Sequence, residues 1–192
     1  MVAETHAPPA GVTPAGGLVL RVIDGAILIS SLATALVSTL ALFVVISIDV
    51  IVRYVTHSSL GWANEMPNLL FPWMTMAGIV IAAQWGRHVA VELAVRQMPE
   101  RIGRIVVALS QIPIAATFIY LAWTGIEIIE ITAGELYPVM RVPTSWAYLS
   151  MPIAFVLLAV TALTTAVRVM TQGGDLFVVR EGLNEGEGDH AS

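Results

Sequence analysis

Two pairs of polar residues are spaced so that a helix would bring their side chains together. His88 and Glu92 stand at i and i+4, a spacing at which an imidazole and a carboxylate can share a metal ion. Two ligands are weak support for a metal site, because zinc sites use three or four protein ligands. We interpret this pair as part of a solvated helix face. Asp49 and Arg53 have the same spacing and opposite charges, which predicts a structural ion pair.

The residues that most other kinds of catalytic or cofactor chemistry require are absent from this sequence. The chain has no cysteine, which excludes a disulfide framework, thiolate metal sites and thiol redox chemistry. Haem binding would need histidine within an apolar segment, and the four histidines fall in tails, loops or helix ends: His6, His57, His88 and His190. No P-loop is present for a nucleotide, and no serine has a histidine or lysine partner at membrane depth. We therefore expect no catalytic residue, no metal and no cofactor in this chain, and no enzyme activity.

Composition sets the class of the protein. Hydrophobic residues make up 57% of the chain and charged residues only 12%, which is typical of an integral membrane protein. Lysine is absent and no basic patch occurs, so nucleic-acid binding is not expected.

Four apolar segments are long enough to cross a bilayer core. They predict an all-α membrane domain over residues 18–171, with spans at about 25–48, 66–86, 105–126 and 145–167. Helical periodicity extends the first segment from Leu18 to Val55, about 57 Å at 1.5 Å per residue. A helix of that length exceeds the hydrocarbon core, so it must tilt or protrude.

The segment between the second and third spans has a different pattern. Over about residues 88–98, Val91 and Val95 share one helix face, while His88, Glu92 and Arg96 form a polar row at i, i+4 and i+8. This pattern predicts an amphipathic helix lying along the membrane interface.

The two ends of the chain have compositions that cannot bury a core. Residues 1–17 are rich in Ala, Pro, Gly and Thr, and residues 172–192 are rich in Gly and acid, so both are expected to be disordered tails. A cleaved signal peptide is not expected, because the first apolar run is too long and has one Arg before it.

Arginine is distributed unequally between the two sides of the membrane. With four spans, seven arginines fall on the side of the termini and of the central loop, and Arg53 and Arg141 fall on the other side. The positive-inside rule then predicts that both termini are cytoplasmic.

Four sequence motifs, in register with the four spans, resemble one known family. The motifs are DVIVRYV (49–55), Trp62 and Glu65 ahead of Pro72 and Trp73, GRHVAVEL (86–93), and VPTSWAYLSMPIAF (142–155). Together they resemble the small membrane subunit, of DctQ type, of tripartite ATP-independent periplasmic (TRAP) transporters, over about residues 18–169. The sequence departs from the family pattern at Asn64, Glu92 and Arg141.

The resemblance implies a role in transport across the bacterial inner membrane. In that family a periplasmic binding protein delivers an organic acid, typically a carboxylate, to a complex driven by a sodium gradient. The large multi-span subunit would hold sodium and substrate, and this chain would serve as its scaffold, in contact with membrane lipids. The rim facing the periplasm would help to dock the binding protein, through Trp62, Glu65, Glu127, Glu130, Glu135 and Arg141.

A different class of function stays open from the residues. A small homo-oligomeric transporter or channel would need polar groups at mid-membrane depth, and the candidates are Gln84, Gln111, Ser38 and Thr39. Such groups more often bridge helices than line a pore.

Overall fold

The computed structural model describes the backbone of residues 15–96 and 100–171, with side chains described for 18–86, 102–103 and 105–170. Five helices occur in this part of the chain: α1 (Ala15–Thr56), α2 (Gly61–Arg96), α3 (Glu100–Thr132), α4 (Ser145–Tyr148) and α5 (Ser150–Thr171). Residues 1–14 and 172–192, which hold most of the two predicted tails, lie outside the described residues.

The predicted all-α fold with four membrane helices is confirmed. The four stretches long and apolar enough to cross a membrane are Leu18–Thr56, Gly61–Gly86, Ile105–Thr132 and Ser145–Met170. Among the described residues no strand forms, and the one β-bridge joins Leu136 to Pro143 in the connection after α3. Helix α1 is 42 residues long, about 63 Å at 1.5 Å per residue, so it exceeds the bilayer core as its sequence pattern predicts.

The predicted interfacial helix between the second and third spans is not confirmed as a separate element. The backbone of α2 runs without a break from Gly61 to Arg96, so residues 88–96 extend the second membrane helix. The side chains assigned to this segment lie outside the described set: His88, Val91, Glu92, Val95 and Arg96.

The helices pack in the order α1, α2, α5, α3, with α5 the most enclosed. Ile27 of α1, Val80 of α2, and Ala154 and Leu158 of α5 form the buried core. Small residues let α3 and α5 approach closely, because a Cβ at Gly125 would lie 3.3 Å from the Cβ of Pro152.

The outer faces of α1 and α3 carry large apolar side chains that remain mostly exposed in the described part of the chain. Phe43 of α1 is 70% exposed and Trp123 of α3 is 76% exposed. Exposed apolar surface of this extent suits lipid tails or the apolar face of another membrane subunit.

Candidate functional site

The buried charged side chains of the described residues lie near the two ends of the helix bundle. We call the end that holds the connections 57–60 and 133–144 the loop end, and the end that holds the start of α1 and the finish of α5 the terminal end. Three acidic side chains are buried among the described residues: Asp49 and Glu65 at the loop end, and Asp24 at the terminal end. Each makes hydrogen bonds to another part of the chain.

Asp49 fixes the turn between α1 and α2. Its Oδ2 accepts a hydrogen bond from Arg53 Nη2 at 2.6 Å, and its Oδ1 accepts one from the backbone N–H of Leu60 at 2.8 Å. The turn contains His57 with a φ of 58°, a left-handed conformation uncommon for a residue with a Cβ. The carboxylate therefore joins the last turns of α1 to the residue that precedes α2. The i, i+4 spacing predicted the pair with Arg53, but it did not indicate the bond to Leu60.

Glu65 makes the corresponding contact to the other connection. Its Oε1 accepts the backbone N–H of Val139 and its Oε2 accepts the backbone N–H of Met140, both at 2.8 Å. Glu65 is 9% exposed, so the carboxylate is enclosed by the two segments it joins. Close by, Val139 packs on Gly61, where a Cβ would lie 3.2 Å from Val139 Cγ2. The start of α2 and the loop after α3 are thus held together.

The loop that Glu65 binds has further backbone hydrogen bonds of its own. The Tyr137 N–H donates to Val142 O at 3.0 Å, and the Arg141 N–H donates to Tyr137 O at 2.9 Å. Arg141 has a φ of 56°, which closes this reverse turn. Tyr137 is buried, and this burial, with smaller contributions from the charges of Tyr148 and Glu65, raises the pKa of Tyr137.

The residues assigned to binding-protein docking divide into two groups. Trp62, Glu127, Glu130, Glu135 and Arg141 are exposed. Glu65 differs, because both of its carboxylate oxygens already accept loop amides and little of the side chain is accessible. A direct contact to another protein is therefore less suited to Glu65 than to the other five residues.

The terminal end has an ion pair that the sequence reasoning missed. Arg168 Nη2 of α5 donates to Asp24 Oδ2 of α1 at 2.6 Å, and Thr164 Oγ1 donates to Asp24 Oδ1 at 3.0 Å. Asp24 is 6% exposed. A signal was present, because an acid at the start of the first apolar run and an arginine at the end of the last run lie at similar depth when four spans alternate in direction.

Away from the two ends, the buried polar side chains of the described residues carry no charge, and Ser38, Gln84 and Thr161 are among them. No group of three His, Cys, Asp or Glu side chains that could hold a metal ion occurs among the described residues. A cavity of about 130 Å³ lies between α1, α2 and α5, lined mainly by apolar atoms and by the hydroxyls of Ser30, Ser31 and Thr34. Such a lining offers no charged group to a substrate.

The geometry defines a multi-pass membrane protein whose buried charges brace a four-span bundle. A family model described as "Tripartite ATP-independent periplasmic transporters, DctQ component" matches residues 42–172. Because this match covers more than half of the chain, the chain belongs to the DctQ family of small TRAP transporter subunits. The predicted resemblance is thereby confirmed, and a subunit of this kind is a transporter component and not an enzyme.

Individual relatives agree with the family match. An uncharacterized protein, y4mM of Sinorhizobium fredii, is 32% identical over 139 residues, which cover 72% of this chain and 26% of that protein. A Haemophilus influenzae protein named "Putative TRAP transporter small permease protein" is 25% identical over 122 residues, covering 62% of this chain and 74% of the relative. The sialic acid TRAP transporter permease protein SiaT of Haemophilus influenzae is 24% identical over 119 residues, covering 62% of this chain and 19% of SiaT. The chain thus spans about a quarter or less of the first and third of these relatives.

Proposed function

We propose that this chain is the scaffold subunit of a sodium-driven TRAP transporter for organic acids, in complex with a large multi-span membrane subunit. The observation that carries the proposal is that the buried acidic side chains bind within this chain. Asp24, Asp49 and Glu65 each bind another part of the same chain, so none presents a free carboxylate to an ion or a substrate at mid-membrane depth.

The exposed apolar faces of α1 and α3 support the scaffold role. A helix that extends well beyond the bilayer core and has a bare apolar face suits a frame against which another membrane subunit packs. The relative SiaT is named as a sialic acid permease, and that name supports an organic acid as the class of substrate. Sodium would bind in the large subunit, and this chain would hold no cofactor.

Orientation follows from the arginine bias. We propose that the loop end faces the periplasm and that both termini are cytoplasmic, in the inner membrane of a bacterium. The exposed residues at the loop end would then meet the periplasmic binding protein: Trp62, Glu127, Glu130, Glu135 and Arg141. From its sequence pattern alone, we propose that the segment 88–98 meets the membrane interface on the cytoplasmic side.

Reconstitution tests the proposal. The small subunit alone, the large subunit alone and the two together are placed in proteoliposomes with the binding protein, and sodium-driven uptake is measured. The substrate is the organic acid that stabilises the binding protein most in a thermal-shift screen. We expect uptake with both subunits and none with this chain alone. Robust uptake by this chain alone would instead support a self-contained homo-oligomeric transporter.

A further inference from the structure

The contact between Glu65 and the loop after α3 joins residues 74 and 75 positions apart in the sequence. A carboxylate that accepts two consecutive backbone N–H groups, one on each oxygen, fixes the orientation of that peptide segment in a way that a single hydrogen bond cannot. Met140, which supplies one of the two amides, immediately precedes Arg141.

The conformation of Arg141 needs support from its surroundings. A φ of 56° is unfavourable for a residue with a Cβ, and such conformations persist where neighbouring contacts hold them. Here the N–H of Arg141 donates to Tyr137 O, and the peptides on either side of Val139 are held by Glu65. The guanidinium is exposed, so the fixed backbone determines where this positive charge stands at the loop end.

The geometry points to Glu65 as a positioning residue: its carboxylate holds the loop 137–142 so that Arg141 is presented in a fixed place to the binding protein. This inference rests on the proposed docking role of the loop end. It differs from a docking contact by Glu65 itself, because the acid is buried and acts through Arg141. The partner surface that fits Arg141 is an acidic one.

The first measurement follows the loop itself and does not depend on docking. The chain has no native cysteine, so a Pro138→Cys variant accepts a single spin label in the exposed part of the loop. In the purified two-subunit complex we expect a restricted label with Glu65 present and a mobile label with Glu65→Ala. Glu65→Gln should give an intermediate result, because its amide keeps one acceptor and turns an N–H₂ towards the second loop amide. Ser59→Ala, a change at an exposed side chain of the loop end that has no assigned docking role, is the control and should match the unsubstituted complex.

The second measurement follows docking. The binding protein encoded with the permease is titrated onto the complex in nanodiscs, and the Kd is compared between variants. Arg141→Ala should raise the Kd roughly two- to fivefold, the size expected for an exposed charge at an interface. Glu65→Ala should raise the Kd by a similar factor, and Glu65→Gln should raise it by a smaller factor, because it keeps one of the two loop contacts. The double variant of Glu65 and Arg141 should bind no more weakly than Arg141→Ala alone, because the Glu65 change acts through the same contact.

The outcomes distinguish the docking role of Arg141 from the positioning role of Glu65. If Arg141→Ala and Glu65→Gln both leave the Kd unchanged while the spin label is released by Glu65→Ala, the docking role of Arg141 is rejected and Glu65 is only a structural brace. If Arg141→Ala weakens binding but the Glu65 variants leave both the label and the Kd unchanged, docking stands and the positioning role is overturned. Additive effects in the double variant would also overturn it. Should Glu65→Ala fail to assemble, Glu65→Gln supplies the same comparison.

Discussion

Arg168 and Asp24 form an ion pair at 2.6 Å although they are 144 positions apart in the sequence, and the pair joins the last helix of the bundle to the first. Asp24 has 8% of its side chain exposed and Arg168 has 23%, so both charges lie largely out of water. Removing either partner would leave the other charge buried with weaker compensation.

A double-mutant cycle on this pair should show strong coupling. Asp24→Asn and Arg168→Gln should each lower the free energy of unfolding by roughly 1–3 kcal/mol, less than for a fully enclosed pair because Arg168 is partly exposed. The double variant should lose less than the sum of the two. Thermal unfolding is measured for the purified complex with the unsubstituted chain, with each single variant and with the double variant. Strict additivity would show that the two side chains contribute independently.

The turn between α1 and α2 should depend on Asp49 more than on its salt-bridge partner. Asp49→Ala removes both the Leu60 contact and the Arg53 contact, and should lower the melting temperature of the complex more than the change at Arg53 does. Arg53→Gln removes only a pair whose cation is 56% exposed, and should cost at most about 1 kcal/mol. Protease sensitivity of the 57–60 connection, measured alongside stability, should rise in the first variant only. Equal effects would mean that the ion pair, and not the Leu60 bond, holds the turn.

The surroundings of Gly125 in α3 and Gly78 in α2 predict opposite effects when each glycine is replaced by alanine. Gly125→Ala places a Cβ 3.3 Å from Pro152, on a rigid ring that cannot turn aside, and should lower the melting temperature of the complex. Gly78→Ala meets no atom within 4 Å in the described chain and should be neutral or stabilising by up to about 1 kcal/mol, through helix propensity. A stabilised Gly125→Ala variant would contradict the tight packing described for this pair of helices.

Membrane orientation can be tested with two single cysteines. Ser58→Cys lies in the exposed turn at the loop end, and Leu18→Cys lies in the exposed first turns of α1 at the terminal end. In cells with a permeable outer membrane and an intact inner membrane, an impermeant maleimide should label position 58 and reach position 18 only after lysis. The reverse pattern would place the loop end in the cytoplasm.

Local sequence patterns are sufficient to predict the four membrane helices and one of the buried contacts. Long uncharged runs predict membrane spans because unpaired backbone groups cannot be left in lipid, and the i, i+4 spacing of Asp49 and Arg53 predicts a contact within one helix. The contacts of Asp24 and Glu65 could not be predicted in the same way, because they join segments whose relative position depends on the packing of the whole bundle. The sequence favours a docking role for Glu65 because the charged groups on that side have no other evident partner in the sequence. Its burial follows from a loop more than 70 residues away.

In the segment after Gly86, the structure differs from the prediction in where a helix ends. Its amphipathic pattern predicts a separate surface helix, whereas the backbone continues α2 to Arg96. Helical periodicity alone does not show whether an amphipathic segment is a separate helix. The same i, i+4 pattern also suits a continuous helix that emerges from lipid into the interface.

Helix α1 is tied to its neighbours near both of its ends, and this spacing has a consequence for the lipid around the protein. Asp24 and Asp49 are 25 positions apart, about 37 Å along the axis at 1.5 Å per residue. Because Asp24 is bound to Arg168 of α5 and Asp49 to the N–H of Leu60, a shift of α1 along the bundle would break these contacts. The distance between the two acids therefore sets the bilayer thickness that suits this helix, and it corresponds to a hydrocarbon core of about 30 Å with its polar margins. In bilayers of shorter or longer acyl chains, the lipid would have to deform around this helix.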